Sequence, residues 1–171
     1  MKANLLVTHE PSHLGSAEKE VLDLLNEIKY PGKIVKSNIS GLMSVRVKNA
    51  KNAVKKLLLI AKKKPNKFMQ TYKWIPVDKW SKTNIKAMQR TVKNLARNIK
   101  KNEKWKMDLG KRKTNLHERD LIVKLTDLID RPNIDLNNPE KIVKVEIIGS
   151  NAALSLLKKD EYLNVTRFKK D

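Results

Sequence analysis

Apolar positions in the first 78 residues alternate between two periods, one of about two residues and one of three to four. Residues 4–8 (NLLVT) form a short apolar run with β-branched content and predict a strand. After the loop HEPSHLGS, Val21, Leu24, Leu25 and Ile28 step by three and four and predict a helix that Ser16 caps. Pro31-Gly32 ends that helix and turns the chain. Residues 34–39 and 42–47 read as two strands around a turn at Gly41, with Met43, Val45 and Val47 on one face of the second. A helix over residues 49–64 points Val54, Leu57, Leu58 and Ala61 inward and stops at Pro65, and residues 70–77 complete the series as a strand. Strand, helix, strand, strand, helix, strand is the ferredoxin-like βαββαβ order.

The remaining chain starts on a different note. Residues 83–101 carry the clearest helical period in the protein, through Ile85, Met88, Val92, Leu95 and Ile99. Lys86, Arg90, Lys93, Arg97 and Lys100 fall mainly away from that stripe. Trp105, Met107 and Leu109 alternate with Lys106 and Asp108, as a half-buried strand does. Lys111-Arg112-Lys113 follows. Asn115 with Glu118 then resembles a capping box at the start of a helix whose core face is Leu121, Ile122, Leu125, Leu128 and Ile129. A short strand over 134–136 and strands over 142–148 and 152–157, joined at Gly149-Ser150-Asn151, close the series. The reading is an α/β (α+β) protein of two domains, 1–78 and 79–171.

Charge changes the picture from fold to partner. Lys and Arg number 38 against 18 Asp and Glu, a net charge of +20. The excess belongs to both halves: residues 1–78 carry fifteen cationic side chains against six acidic ones, and residues 79–171 carry twenty-three against twelve. A field of that sign holds a protein near a polyanion and speeds their encounter. The absence of cysteine rules out disulfides, thiolate zinc sites and cysteine nucleophiles. His9 and His13 stand four apart, but Pro11 between them argues against a metal-binding helix, and no carboxylate pair or cysteine joins them or His117; the five glycines form no phosphate-binding loop. No catalytic residue, metal or cofactor is therefore expected. The opening MKANLLVTHEP is no secretory signal and no apolar stretch could span a bilayer, so the expected setting is cytoplasmic with no membrane partner.

Two cationic triplets invite comparison. Lys62-Lys63-Lys64 lies in the last turn of a helix, where cations suit the macrodipole. Lys111-Arg112-Lys113 precedes a helix start, where peptide N–H groups and cations together attract phosphate. Trp74, Trp80 and Trp105 could stack on bases, but the alternation around Trp105 makes it a core residue, and Trp80 sits in the linker.

The stretch WKMDLGKRKTNLHERDLIVKLTDLIDRPNIDLNNPEKIVKVEII, residues 105–148, resembles the THUMP domain, and a ferredoxin-like module ahead of it is that family's arrangement. The ending ALSLLKKDEYLNVTRFKKD is similar to stand-alone THUMP proteins that assist tRNA N4-acetylcytidine formation. The resemblance implies a tRNA partner bound at its acceptor stem and 3′ end, and a separate RNA acetyltransferase for the chemistry. With no further domain before Asp171, it implies a non-enzymatic adapter. The alternatives are a ribosome- or RNA-associated structural protein, or a noncatalytic fragment of a larger tRNA-modifying enzyme. The family's basic strand and turn positions fall on Lys106, Lys111, Arg112 and Lys113, then Arg119, with Arg167 a weaker match. Arg90, Lys93 and Arg97 join this RNA-binding set from charge alone.

Overall fold

The computed structural model describes residues 2–36 and 38–170. The chain divides into two compact units, Met1–Val77 with Asp160–Asp171, and Asp78–Lys159.

The first unit follows the ferredoxin-like order. Its elements are β1 (Leu5–His9), α1 (Leu14–Glu27), β2 (Gly32–Val35), β3 (Leu42–Val47), α2 (Ala50–Lys63) and β4 (Thr71–Pro76). β1 lies between β3 and β4, antiparallel to both, and β2 flanks β3. Leu5 and Val7 of β1 and Met43, Val45 and Val47 of β3 meet Val21, Leu24 and Leu25 of α1 and Val54, Leu57 and Leu58 of α2 in one core. Period two on the strands and period 3.6 on the helices bring these side chains to a shared layer. Asn49 caps α2, its side chain accepting a 3.0 Å bond from the Asn52 N–H.

Three expectations for this unit need correction. α1 starts at Leu14 after a 3-10 turn over Pro11–His13, so Ser16 is helical and caps nothing. β2 occupies Gly32–Val35, earlier than expected, and position 37 of the anticipated strand lies outside the described residues. The third concerns the tail, which is expected in the second domain. Leu163–Asn164 forms β9 and pairs with Trp74 and Lys73 of β4, while Leu163 and Val165 enter the first core. Burial of those two apolar side chains outweighs proximity along the chain.

The second unit contains β5 (Lys79–Lys82), α3 (Ile85–Ala96), β6 (Trp105–Arg112), α4 (Glu118–Thr126), β7 (Lys141–Ile148) and β8 (Asn151–Lys158). Among the described residues they form a four-stranded sheet in the order β5-β8-β7-β6. α3 and α4 pack side by side over one face, where Met88, Val92, Trp105, Leu109, Leu121, Leu125, Val143, Val145 and Leu154 make the core. The other face carries a buried charge pair. Lys144, 2% exposed, donates a 2.6 Å bond to Glu146 and stands 3.4 Å from Asp108 on the neighbouring strand. Gly110 lies directly across from Glu146, and the carboxylate fills the space a Cβ would take there.

β5 is new. The run KWSK lacks apolar alternation and reads as a linker, yet Trp80 pairs with Ala153 and Lys82 with Asn151. The strand over 134–136 is reduced to a single parallel bridge between Trp105 and Ile134. α3 ends at Ala96, short of the expected 101, and tight turns carry the chain to Ile99. Among the described residues, no helix is long and apolar enough to cross a membrane.

Candidate nucleic-acid interface

Strand direction builds this surface. β5 and β7 each pair antiparallel with β8, and β6 pairs parallel with β7, so β5, β6 and β7 run the same way. α3 follows β5 and α4 follows β6. Both helix N-termini therefore stand at the edge of the sheet where those strands finish. In open α/β sheets this carboxyl edge is where ligands bind, because loops and helix starts converge there.

The register defines a row along the rim. Lys82 pairs with Asn151, Asn151 with Ile148, and Ile148 with Arg112. At a strand spacing near 4.8 Å, the Lys82 and Arg112 backbones stand about 14 Å apart. Lys111 and Lys113 flank Arg112 and are exposed. The Arg112 carbonyl accepts a 2.9 Å bond from the Gly149 N–H, which ties the end of β6 to the β7–β8 turn. Lys113 adopts φ 52°, a left-handed conformation costly for a side chain with a Cβ. It turns the chain out of β6 and sets its side chain on the rim.

The two helix starts differ. The first turn of α3 has no acidic residue and carries exposed Lys86. Asn84 caps it through a 2.8 Å bond to the Ala87 N–H, leaving other N–H groups of that turn available. The neighbouring Thr83 places its Oγ1 in an enclosed position with no hydrogen-bond partner among the described residues. α4 instead begins with Glu118 and Asp120, and His117 stands at its N-cap position without a side-chain cap. The Asn115 capping box is absent. Lys111 and Arg112 are strand residues, separated from α4 by residues 113–117, and the Lys111 ammonium donates a 2.8 Å bond to the Leu116 carbonyl. Acidic residues already satisfy the dipole of α4, so the helix start best suited to an anion is that of α3.

The expected RNA-binding residues thus separate into groups. Lys111, Arg112, Lys113 and, on the first turn of α4, Arg119 share the rim. Arg90, Lys93 and Arg97 are exposed along α3 and, with Lys86, fall within about 60° of one another at 3.6 residues per turn. They form one cationic stripe leading from the rim down the outer face of the helix. Lys106 lies at the opposite end of β6, five residues and roughly 17 Å from Lys111, with its ammonium 3.5 Å from the Leu136 carbonyl. Arg167 sits in a 3-10 turn of the first unit. Lys82, Thr83 and Lys86 complete the rim. Lys82 and Thr83 escape a sequence reading in which KWSK is linker, although both lie within two residues of the Asn84 cap.

Two of the three tryptophans offer little for stacking. Trp74 and Trp105 are buried, their indole N–H groups bonded to Thr71 Oγ1 at 3.1 Å and to the Arg131 carbonyl at 3.0 Å. Among the described residues no group of three or more His, Asp or Glu is placed to hold a metal ion.

No protein-family model matches this chain, and no curated protein does either. Solved structures do match. PH1313 from Pyrococcus horikoshii Ot3 is similar at a TM-score of 0.61 and 17% identity, over 92% of this chain and 55% of that one. TrmN from Thermus thermophilus is similar at a TM-score of 0.57 and 12% identity, over 89% of this chain and 44% of that one. A 4-thiouridine synthetase solved as an RNA complex with bound ATP is similar at 0.53 and 11% identity, over 95% and 42%. At these identities the likeness is one of fold, and it supports the α+β architecture implied by the THUMP resemblance. This chain spans about half the length of the structures it matches.

Proposed function

We propose that this protein binds tRNA through the carboxyl rim of its second unit and presents the acceptor stem and 3′ end to a separate modifying enzyme. The observation that carries the reading is the rim itself. Lys82, Lys86, Lys111, Arg112, Lys113 and Arg119 surround an acid-free helix start, an arrangement suited to successive phosphates. The likeness to a synthetase solved with RNA supports the same partner. The chemistry is assigned to an RNA acetyltransferase and the product to N4-acetylcytidine, following the THUMP resemblance. In this reading the chain performs no reaction of its own and needs no cofactor.

Deletion of the gene, followed by mass spectrometry of tRNA nucleosides, tests the role. Loss of N4-acetylcytidine from a subset of tRNAs, restored by the wild-type chain, is the expected result. Survival of every tRNA modification would favour an RNA-associated structural protein. A modified nucleoside formed by the purified chain with acetyl-CoA would show an enzyme instead.

A further inference from the structure

The outer edge of β6 is occupied at its start. Residues 133–135 run parallel to it, with the Trp105 N–H bonded to the Asn133 carbonyl and the Asp135 N–H to the Trp105 carbonyl, both at 2.9 Å. That companion strand stops after one bridge. The Asp135 carboxylate accepts the N–H groups of Asn137 and Asn138 at 3.0 and 2.9 Å and turns the chain away. Since Trp105 directs its peptide groups outward, the two-residue period directs those of Met107, Leu109 and Lys111 outward as well. Among the described residues, no backbone hydrogen bond reaches them. The result is a lane of backbone groups beside β6 that lack partners among the described residues.

The entrance to the lane is apolar and ringed by cations. Ile134 is 60% and Leu136 68% exposed, on either side of Asp135. Lys106 reaches the Leu136 carbonyl, Lys159 bonds the Asn138 side chain, and Lys104 pairs with Asp135 at 3.3 Å. Three acids here are already engaged: Asp135 as described, Glu140 by the Lys104 N–H at 2.9 Å, and Glu103 by the Lys100 N–H at 2.8 Å. Lys106 and Lys159 bond neutral oxygens and can also meet acids from elsewhere.

We propose that this lane docks an extended segment of a protein partner, apolar where it meets Ile134 and Leu136 and acidic where it meets Lys106 and Lys159, added as a strand along Met107–Lys111. Outward N–H and C=O groups alternate along the edge, and only a peptide backbone supplies both complements in that order. RNA would use exposed aromatic rings for its bases, and the lane entrance has the acyclic side chains of Ile134 and Leu136. A second copy of this chain fits poorly. Of its own edge strands, β2, β5 and β6 bear Lys33, Lys79, Lys82 and Lys106, which would bring like charges together, and β9 is only two residues long. The adapter reading makes the partner the modifying enzyme, and to that extent the proposal rests on it.

The test follows backbone amide resonances of the ¹⁵N-labelled full chain during titration with a ten-residue peptide of alternating valine and glutamate. Met107 and Leu109 amides, away from the rim, should shift and gain protection from exchange, while an oligouridylate of matched charge leaves them unchanged. Met107→Pro removes an N–H that has no partner within the protein and should weaken peptide binding tenfold or more relative to Met107→Ala, which keeps it. Ile134→Glu with Leu136→Glu, at exposed positions, should do the same, with tRNA affinity unaltered in all three variants. Unmoved amides, equal binding by the proline and alanine variants, equal shifts with oligouridylate, or a dimer dissolved by the glutamate changes would each overturn the proposal. In cells the two readings fail separately. Unchanged N4-acetylcytidine after deletion counts against the adapter, whereas full rescue by Met107→Pro in a deletion strain that lost it counts against the lane.

Discussion

Gly110 shows how one missing side chain can hold a buried charge in place. A Cβ there would lie 2.4 Å from one Glu146 carboxylate oxygen and 2.6 Å from the other. Glu146 cannot step aside freely, since it is buried and bonded to Lys144, which is itself almost wholly enclosed. Gly110→Ala must therefore loosen the Lys144–Glu146 pair or push β6 outward. A loss of about 1–3 kcal/mol is the range for overpacking of this kind, and loosening a buried pair acts in the same direction. Urea denaturation should show a lower midpoint for Gly110→Ala with an unchanged slope. A midpoint equal to wild type would mean that the Glu146 side chain has room to relocate.

The ends of elements decide where the charge of this protein acts. Lys111-Arg112-Lys113 closes β6 on the rim, and Lys62-Lys63-Lys64 closes α2, where the helix carbonyls oppose phosphate. Replacing each triplet by Gln removes the same charge, so a general field predicts equal losses. The rim predicts a larger fall in tRNA affinity, and a larger drop in its salt dependence, from the change at 111–113. Equal effects would leave only the overall field; a larger effect at 62–64 would move the contact to the first unit. Element ends also set the acid sensitivity of the second unit. The Lys100 N–H, aided by Lys141, holds the Glu103 carboxyl below its ordinary range, and the Asn138 and Asn137 N–H groups with Lys104 do the same for Asp135. Carboxylates depressed on folding contribute stability above their unfolded pKa values, roughly 4.3 and 3.9, and lose it as pH falls through the folded ones. Urea midpoints should therefore decline as pH drops below about 4. Glu103→Gln should lower the midpoint at pH 7, with the gap to wild type narrowing as pH falls below about 4. A gap that does not change with pH would point to packing rather than ionisation.

For the molecule as a whole, +20 spread over both halves predicts strongly salt-dependent association with tRNA. Each phosphate neutralised should contribute a slope of about −0.7 to −0.9 in log K against log salt, through release of counterions. Several phosphates along the rim and the α3 stripe give a steep line. Labelled tRNA titrated at several salt concentrations measures it directly. A flat response, or no binding at low salt, would remove the electrostatic basis of the proposed function.

The helices and most strands were legible because each follows a local rule. Met88 and Val92, or Met43 and Val45, declare their face by spacing alone, and Pro65 and Gly41 mark ends through their own backbone limits. Charge was legible for the same reason, being a sum over residues. Elements that owe their form to a distant partner were not. KWSK becomes β5 because β8 offers it a ladder, and Leu163 leaves its neighbours to pair with β4 and fill the first core. Ile134 to Leu136 carries the apolar spacing of a strand but obtains one bridge, since Asp135 turns the chain before a second can form. The rim belongs with these. Lys82 and Arg112 are thirty positions apart in the chain and become one row only through pairings across β8 and β7, which no local signal encodes. Local propensity and total charge reside in the chain itself. Convergence of side chains depends on which strands lie side by side and in which direction, and long-range hydrogen bonding and burial decide that.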